Sequence, residues 1–286
     1  MAALRTYLQL GRVSNLPTVW SNVVAGSLLS GASPLAPLAG LSLSLFYVAG
    51  MFLNDAWDAE IDARERPERP IPSGKITRRE VFTVGGVLLL VAVVSLVAAS
   101  PTPLAATLSG LCLAGFILIY NRHHKGNTHA PWLMGSCRAL VYICAATAGG
   151  GSLQPALLAG AFSLLLYVSS LTYVARFESG QRLTAYWPLL FLSAPLLLGV
   201  CAVGPAGLSW PFALSFCSVL VCAVIAVRPL LGQAQKNIGD SVGLLIATIA
   251  LVDGFLILAF APSPYFWIAP AAWLATLGLQ RLVPGT

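Results

Sequence analysis

Charged residues are scarce in this sequence. Only 9% of its 286 residues are charged, while 57% are hydrophobic. Soluble globular domains carry about 25% charged residues, so this composition excludes that class and predicts an integral membrane protein. The net charge of +6 therefore bears first on how the chain is oriented in the membrane, and it is no sign of nucleic-acid binding.

The patterns of disulfide frameworks and structural metal sites are also missing. None of the six cysteines stands in CxxC spacing, and all lie in or beside apolar segments, as buried small hydrophobic residues do. The three histidines, His123, His124 and His129, share one loop that has no carboxylate or cysteine near it in the sequence. No cleavable signal peptide is expected, since no A-x-A pattern follows the apolar run that begins near Pro17.

Long apolar runs dominate what is present, and about 20 such residues cross a bilayer as a helix. The runs are apolar on every face and do not alternate with a period of two, unlike barrel strands. The sequence predicts an all-α, polytopic transmembrane bundle in one domain over residues 1–286. Nine or ten spans are expected, because some segments are short or contain proline. Candidate spans lie near residues 17–32, 36–56, 81–99, 102–120, 133–149, 155–177, 187–203, 210–227, 241–260 and 265–282.

The connections between these spans fall into two alternating classes. Those near residues 33–35, 100–101, 150–154, 204–209 and 261–264 contain no charged residue, whereas the others hold almost every charge. Because positively charged loops stay in the cytoplasm, we predict that both termini and all charged loops are cytoplasmic. In a bacterium the membrane would be the inner or plasma membrane. Tryptophans near the predicted membrane edges are expected to be interfacial anchors: Trp20, Trp132, Trp187, Trp210 and Trp267.

Charge is concentrated in the stretch NDAWDAEIDARERPERPIPSG, from Asn54 to Gly74. Asn54, Asp58 and Asp62 are spaced i, i+4, i+8 and share one face of a helix, with Asp55 beside them. Stacked carboxylates repel one another unless a positive charge lies between them. Mg²⁺ prefers oxygen ligands and is typically held by one or two carboxylates together with substrate phosphates. These four side chains therefore predict a magnesium site.

Arginines follow the aspartates closely, at positions Arg64, Arg66 and Arg69. Guanidinium groups bind phosphate oxygens bidentately, and the prolines of RPERPIPSG prevent the helix from continuing. Carboxylates for a metal and arginines for phosphate, together at a membrane surface, predict a bound diphosphate whose apolar tail lies in the bilayer. The alternative is that the aspartates and arginines pair with one another at a solvated helix end.

The same stretch resembles the UbiA superfamily of intramembrane aromatic prenyltransferases. NDAWDAEID fits that family's first aspartate motif, N-D-x-x-D-x-x-x-D, at every fixed position, and RPERPIPSG is similar to its following loop, R-P-x-R-P-I-P-S-G. The resemblance implies a helical bundle, usually of nine spans, around a central cavity that opens near the cytoplasmic face. It also implies Mg²⁺-dependent transfer of a prenyl group from a prenyl diphosphate to an aromatic or other lipophilic acceptor.

Individual roles also follow from the resemblance. Magnesium would be held by Asn54, Asp55, Asp58 and Asp62, and the implied catalytic residues are these three aspartates and Lys125. Arg12 precedes the first span, where the family places an arginine, and the stretch YNRHHKGN matches the family's basic end of span 4. The implied substrate-binding residues in these regions are Arg12, Asn54, Arg66, Arg69, Tyr120 and Arg122.

The chain departs from the family at the second aspartate motif, D-x-x-Y-A-x-x-D-x-x-x-D. The corresponding place reads SSLTYVARFESGQR, in which Tyr173 remains and no aspartate does. Glu178 is the only carboxylate there, close to Arg176 and Arg182. The resemblance then implies either magnesium binding from one side only or Arg176 as a substitute cation, with Tyr173, Arg176 and Glu178 as substrate-binding candidates.

Two charged residues lie deeper in the predicted spans. A buried arginine in a membrane normally faces the bundle interior or a cavity, which makes Arg138 a substrate-binding candidate; an arginine snorkelling from a helix end is the alternative. Asp253 follows Asp240 by 13 residues, about 20 Å further along a helix. It is expected either to touch an acceptor or to hydrogen-bond a neighbouring helix in its protonated form.

Other functions fit the residues less well. A non-catalytic carrier of prenyl diphosphates that keeps the fold is the main alternative. A CDP-alcohol phosphotransferase also uses membrane aspartates and a divalent metal, but DAEIDARERP lacks the glycines of its D-G-x-x-A-R and G-x-x-x-D-x-x-x-D pattern. A transporter is not indicated, because the two halves of the sequence show no matching pair of interrupted helices.

Overall fold

A computed structural model describes residues 2–34, 36–177, 185–203, 208–231 and 238–285. Regular structure in these residues is entirely helical, which confirms the predicted all-α class. The α-helices are α1 (Ala2–Leu10), α2 (Leu16–Leu29), α3 (Pro37–Glu65), α4 (Arg78–Ala98), α5 (Pro103–His123), α6 (Ala130–Ala148), α7 (Pro155–Ala175), α8 (Ala194–Val203), α9 (Trp210–Val227), α10 (Ile238–Phe260) and α11 (Ile268–Gln280). Short 3₁₀ helices, Trp187–Ser193 and Pro264–Trp267, lead into α8 and α11.

Each predicted span falls on one of the helices from α2 to α11. Within the described residues, six helical segments are long and apolar enough to cross a membrane: α3, α4, α5, α7, α9 with the turn that follows it, and α10. The chain is therefore an integral membrane protein by composition and helix length. The count of nine or ten spans stays a prediction, because α2, α8 and α11 are shorter than a typical span.

The helices pack around two large apolar cores, and a smaller third cluster lies between α1, α3 and the start of α4. One core joins α7, α9 and α10, and the other joins α3, α4 and α5; α2 and α6 contribute side chains to both. Helix α10 is buried on most of its sides, whereas α4 and α9 turn rows of leucine and valine outward. A contiguous apolar outer surface of this kind suits contact with lipid.

Close helix contacts depend on small residues. A Cβ atom placed on Gly135 of α6 would lie 2.5 Å from the carbonyl oxygen of Leu165 in α7. On Gly26 of α2, it would lie 2.7 Å from the carbonyl oxygen of Tyr142 in α6. Small residues let membrane helices approach backbone to backbone, and here they set the spacing of the three helices that surround the deeper polar side chains.

Helix α3 carries the aspartates and extends beyond its apolar part to Glu65. The chain then turns through the proline-rich segment, where backbone hydrogen bonds join Ser73 to Arg69 and Lys75 to Pro70. Helix α4 begins with a capping interaction, in which the backbone N–H of Glu80 donates to the hydroxyl of Thr77. The segment between α3 and α4 is thus the folded-back connection that the prolines predict.

Helix α1 packs beside this connection. The hydroxyl of Tyr7 donates a hydrogen bond of 2.5 Å to the carboxylate of Glu80, and this bond raises the pKa of Tyr7. Arg12, between α1 and α2, adopts a left-handed backbone conformation with φ of 42°. This turn places its guanidinium against α3, 3.2 Å from Asp55.

Candidate active site

One end of the bundle holds a large cavity of about 750 Å³. Its walls come from the end of α3, the loop that follows it, the ends of α5 and α7, the start of α6 and the segment before α8. The chain brings these segments together because consecutive helices run in opposite directions, so the predicted charged loops meet at one end. Fifteen of the lining residues carry charged, imidazole, amide, hydroxyl or phenol side chains: Asn54, Asp58, Asp62, Glu65, Arg66, Arg69, His124, Lys125 and Arg176, with Thr128, Ser169, Ser170, Thr172, Tyr120 and Tyr173.

The predicted ladder on α3 lines this cavity at three positions. Asn54, Asp58 and Asp62 are 7%, 5% and 3% exposed, so the polar stripe is turned inward and away from bulk water. Asp55 is equally buried but faces the neighbouring side of the helix, where Arg12 and Arg69 lie. The ladder is therefore the wall of a cavity and is not a solvated helix end, although the pairing of aspartates with arginines that the alternative expected is present.

Each aspartate is paired with a base from a different segment. Asp55 lies 3.2 Å from Arg12, Asp62 lies 2.7 Å from Arg69, and Asp58 lies 3.2 Å from His124. Arg12 and Arg69, with Lys125 at 3.8 Å from Asp58, supply the positive charge that stacked carboxylates require. The long side chains of these three residues allow each of them to leave its carboxylate and contact a ligand anion instead.

His124 was missed by the sequence reasoning, which found no carboxylate near the histidines. The fold brings its Nε2 to Asp58, while its Nδ1 lies 3.3 Å from the carbonyl oxygen of Asn121. Its ring stacks on Tyr120 at 4.9 Å between centroids. The i, i+4 spacing of Tyr120 and His124 at a helix end is a signal that the sequence did carry, although the partner Asp58 is visible only after folding.

The wall provided by α7 has a different chemistry. Ser169, Ser170, Thr172, Tyr173 and Arg176 line the cavity. The hydroxyls of Ser169 and Ser170 are buried and have no hydrogen-bond partner among the described residues. Tyr173 and Arg176 thus lie at the site, and their substrate-binding roles stay predictions. Glu178 and Arg182 lie outside the described residues.

Aromatic side chains close the cavity on the side of α6 and the segment before α8. Trp132 and Phe191 meet edge to face at 5.5 Å, and Trp187 contacts the same phenylalanine at 5.6 Å. Trp132 and Trp187 are expected to be interfacial anchors, which stays a prediction, and both also line the cavity. Their exposed fractions of 38% and 61% place them at its rim.

Three of the predicted substrate-binding residues that the structure describes, Arg12, Arg122 and Arg138, are not among those that line the larger cavity. Arg12 pairs with Asp55. Arg122 is exposed at the end of α5 and is not among the residues that line the cavity. Arg138 lies deeper, on the wall of a second, smaller and mainly apolar cavity. Tyr120 lines both cavities and so marks the place where they adjoin.

The donor set on α3 fits a magnesium ion shared with a substrate. Among the described residues, no group of three or more His, Cys, Asp or Glu side chains is arranged to hold a metal alone. Magnesium does not require one, since it is usually bound by one or two carboxylates, water and substrate phosphates. Asp58 and Asp62, with the amide oxygen of Asn54, supply such a partial set at the wall of the cavity.

Comparison with known proteins identifies the family. The model of the UbiA prenyltransferase family matches residues 14–241, which is more than half of the chain. The chain belongs to the UbiA prenyltransferase family. The predicted family and class of enzyme are thereby confirmed.

Several UbiA relatives are named digeranylgeranylglyceryl phosphate synthase. The protein of that name from Methanopyrus kandleri is 33% identical over 143 residues, covering 47% of this chain and 51% of the relative. That from Halobacterium salinarum is 27% identical over 281 residues, covering 88% of this chain and 98% of the relative. The chain thus spans only about half of the first relative's length, and most of the second's.

A solved UbiA homologue from Archaeoglobus fulgidus shares the fold. It is described as bound to GPP and Mg²⁺, and it matches with a TM-score of 0.65 at 14% identity, covering 94% of this chain and 99% of its own. At this identity the likeness establishes the architecture. The intramembrane helical bundle expected of the family is therefore confirmed.

Proposed function

We propose that this UbiA-family protein transfers a prenyl group from a prenyl diphosphate to a lipophilic acceptor in a Mg²⁺-dependent reaction. The observation that carries the proposal is the cavity wall itself. Buried carboxylates and an amide on α3 face basic residues from three other segments across a space of about 750 Å³. This arrangement suits a diphosphate head, and the apolar helices beneath it suit the hydrocarbon chain.

The position of each residue indicates its proposed role. Asn54, Asp58 and Asp62 would hold magnesium, and bound Mg²⁺ would neutralise the charge that develops on the departing diphosphate. Arg66, Arg69, Lys125 and Arg176 surround the same space and would contact the diphosphate oxygens, since guanidinium and ammonium groups bind phosphate. Asp55 would hold Arg12 and Arg69 in position, because it pairs with both of them.

Breaking the carbon–oxygen bond of the prenyl diphosphate leaves an electron-poor prenyl carbon and a more highly charged diphosphate. Preorganised positive groups at the leaving oxygen are the largest contribution that a protein makes to such a step. The aromatic side of the cavity, at Trp132 and Phe191, would keep water from the prenyl carbon until the acceptor attacks.

The substrates are proposed at the level of their class. The relatives' name indicates a phosphorylated glycerol lipid as one type of acceptor, and the solved homologues are described with GPP or DMAPP. We propose that the donor is a prenyl diphosphate of this kind, and that the site opens to the cytoplasm with both termini on that side. One domain, residues 1–286, would provide the entire site.

The test uses the protein in nanodiscs with Mg²⁺, geranyl diphosphate and geranylgeranylglyceryl phosphate or a phenolic acceptor. We expect release of diphosphate that stops when EDTA removes magnesium and that is lost in Asp58→Ala. Glu60→Ala is the matched control, because Glu60 lies on the same helix but points outward and pairs with Arg78. Saturable donor binding without product from any acceptor would favour a carrier over an enzyme.

A further inference from the structure

A second polar cluster lies deeper in the bundle and takes no part in the proposed diphosphate chemistry. Asp253 of α10 is fully buried, and its carboxylate accepts hydrogen bonds from Ser21 at 2.5 Å, from Tyr142 at 2.6 Å and from the amide of Asn22 at 2.7 and 2.8 Å. These bonds reach both oxygens of the carboxylate, so neither oxygen is left without a partner.

Asn22 connects this carboxylate to a guanidinium. Its amide nitrogen donates to Asp253, and its carbonyl oxygen accepts a bond of 2.7 Å from Nη1 of Arg138. A second bond, of 2.8 Å, joins Nη2 of Arg138 to the hydroxyl of Thr18. The positive and negative charges are therefore balanced through one amide, without direct contact between them.

Arg138 is only 9% exposed, yet it lines the smaller cavity. Thr18 and Asn22 take two of the five N–H donors that a guanidinium carries, and the guanidinium lies 5.7 Å from the ring centroid of Tyr47. Arg138 lies at the wall of a space whose other lining side chains are mainly apolar, although Tyr47, Tyr120, Asn121 and Cys137 also line it.

An arginine on this wall is costly for a pocket that binds only hydrocarbon. Burying a charge is unfavourable unless it is paired and hydrogen-bonded, and intramembrane charges normally serve a ligand or a pathway. The cavity measures about 70 Å³, whereas a dry cavity of about 150 Å³ accommodates benzene. It therefore takes one end of a molecule whose remainder lies in the larger cavity beyond Tyr120.

We propose that this small cavity is the acceptor subsite and that Arg138 binds a neutral oxygen of the acceptor, a hydroxyl or a carbonyl. The inference rests on the proposed prenyl transfer, because it names the part of the site that would hold the second substrate. A neutral oxygen is specified because Asp253 already balances the guanidinium. An oxyanion at the same place would add an unbalanced negative charge to a buried cluster, which is unfavourable in a low-dielectric interior.

The test measures binding of matched naphthalene probes, without donor, to protein in nanodiscs by equilibrium dialysis against empty nanodiscs. The probes are 2-naphthol, 2-acetonaphthone, 2-naphthoate and 2-methylnaphthalene. We expect the hydroxyl and carbonyl probes to bind about tenfold more weakly to Arg138→Met, which lacks the charged donor. The methyl probe should bind equally to both proteins.

The role of Asp253 is tested with Asp253→Asn, which keeps a similar shape and removes the balancing charge. We expect 2-naphthoate to bind about tenfold more tightly to this variant than to the wild type, while 2-naphthol changes little. If Arg138→Met is unstable, the double variant Arg138→Met with Asp253→Asn removes both charges together, and the same loss of 2-naphthol binding is expected.

The subsite is overturned if all four probes bind equally to the wild type and to the variants that lack Arg138. The charge-balance argument is overturned if 2-naphthoate binds best to the wild type. Binding and turnover of geranyl diphosphate with Mg²⁺ are measured on the same samples. Wild-type protein that retains 2-naphthol but neither binds nor turns over the donor would contradict the proposed function and leave the subsite standing.

Discussion

The two buried carboxylate clusters of this protein are built in opposite ways. On α3, the aspartates pair with basic side chains from loops and helix ends, and Asp58 and Asp62 line a cavity of about 750 Å³. Around Asp253, buried side chains of two neighbouring helices donate four hydrogen bonds to a carboxylate with no exposed surface. The first cluster can exchange its partners for a ligand, whereas the second holds a fixed arrangement.

The largest effect that we predict is a loss of stability when the fixed cluster around Asp253 is disrupted. Asp253→Ala leaves the donors of Asn22 and Tyr142 without an acceptor and leaves the Arg138 charge unbalanced. Breaking a buried charge network in this way costs about 3–5 kcal/mol. The thermal unfolding midpoint in detergent should fall strongly for this variant and less for Asp253→Asn, which keeps a polar group in place; equal midpoints for Asp253→Ala and the wild type would contradict the fixed arrangement.

A substitution in the aspartate cluster on α3 should lower the reaction rate more than it lowers the stability of the fold. Asp58→Asn removes one of three stacked negative charges and a proposed ligand of magnesium. We expect the rate of prenyl transfer to fall on the order of 10²–10³-fold, as it does when one preorganised electrostatic group is lost. The unfolding midpoint should change less than it does for Asp253→Ala. Glu60→Gln serves as the control, since this exposed residue pairs only with Arg78 among the described residues.

A smaller effect is expected from the histidine that faces Asp58. His124→Gln keeps a donor but removes the ring that stacks on Tyr120 and contacts the carboxylate. We expect KM for geranyl diphosphate to rise about tenfold, which corresponds to about 1.4 kcal/mol of binding. His123→Gln is the matched control, because the neighbouring ring is exposed and lies 3.3 Å from the carbonyl oxygen of Ile119 in its own helix. Equal effects of the two substitutions would remove His124 from the site.

The smallest predicted change is Ser21→Ala, which deletes one of the four hydrogen bonds to Asp253. The other three hydrogen bonds to the carboxylate remain, so the free energy of unfolding should fall by only about 1 kcal/mol. Binding of geranyl diphosphate should stay unchanged, since Ser21 does not line the larger cavity. Stability and binding of geranyl diphosphate should be measured on the same preparation. A loss of geranyl diphosphate binding would show that the two clusters are coupled.

Prediction from sequence succeeded where a structural feature depends only on residues that are near one another in the chain. The i, i+4, i+8 spacing of Asn54, Asp58 and Asp62 placed one polar face at a helix end, and the structure turns that face into the cavity. Apolar run lengths likewise located every helix from α2 to α11. The connection between α3 and α4 was expected to fold back because proline prevents helix continuation.

Prediction failed where the partner lies far away in the chain. His124 meets Asp58 across 66 positions of sequence. Asp253 was recognised as unusual, but its hydrogen bonds reach residues 231 and 232 positions away. No spacing rule relates positions so distant.

The sequence alone determined that the chain is a helical membrane protein, which segments form its helices, and where its carboxylates gather. These properties depend on composition and on the period of a single helix, so neighbouring residues are sufficient. Only the tertiary structure decided which base faces which carboxylate, and that Arg138 and Asp253 balance each other through Asn22. Such pairings depend on how helices distant in the chain are packed side by side.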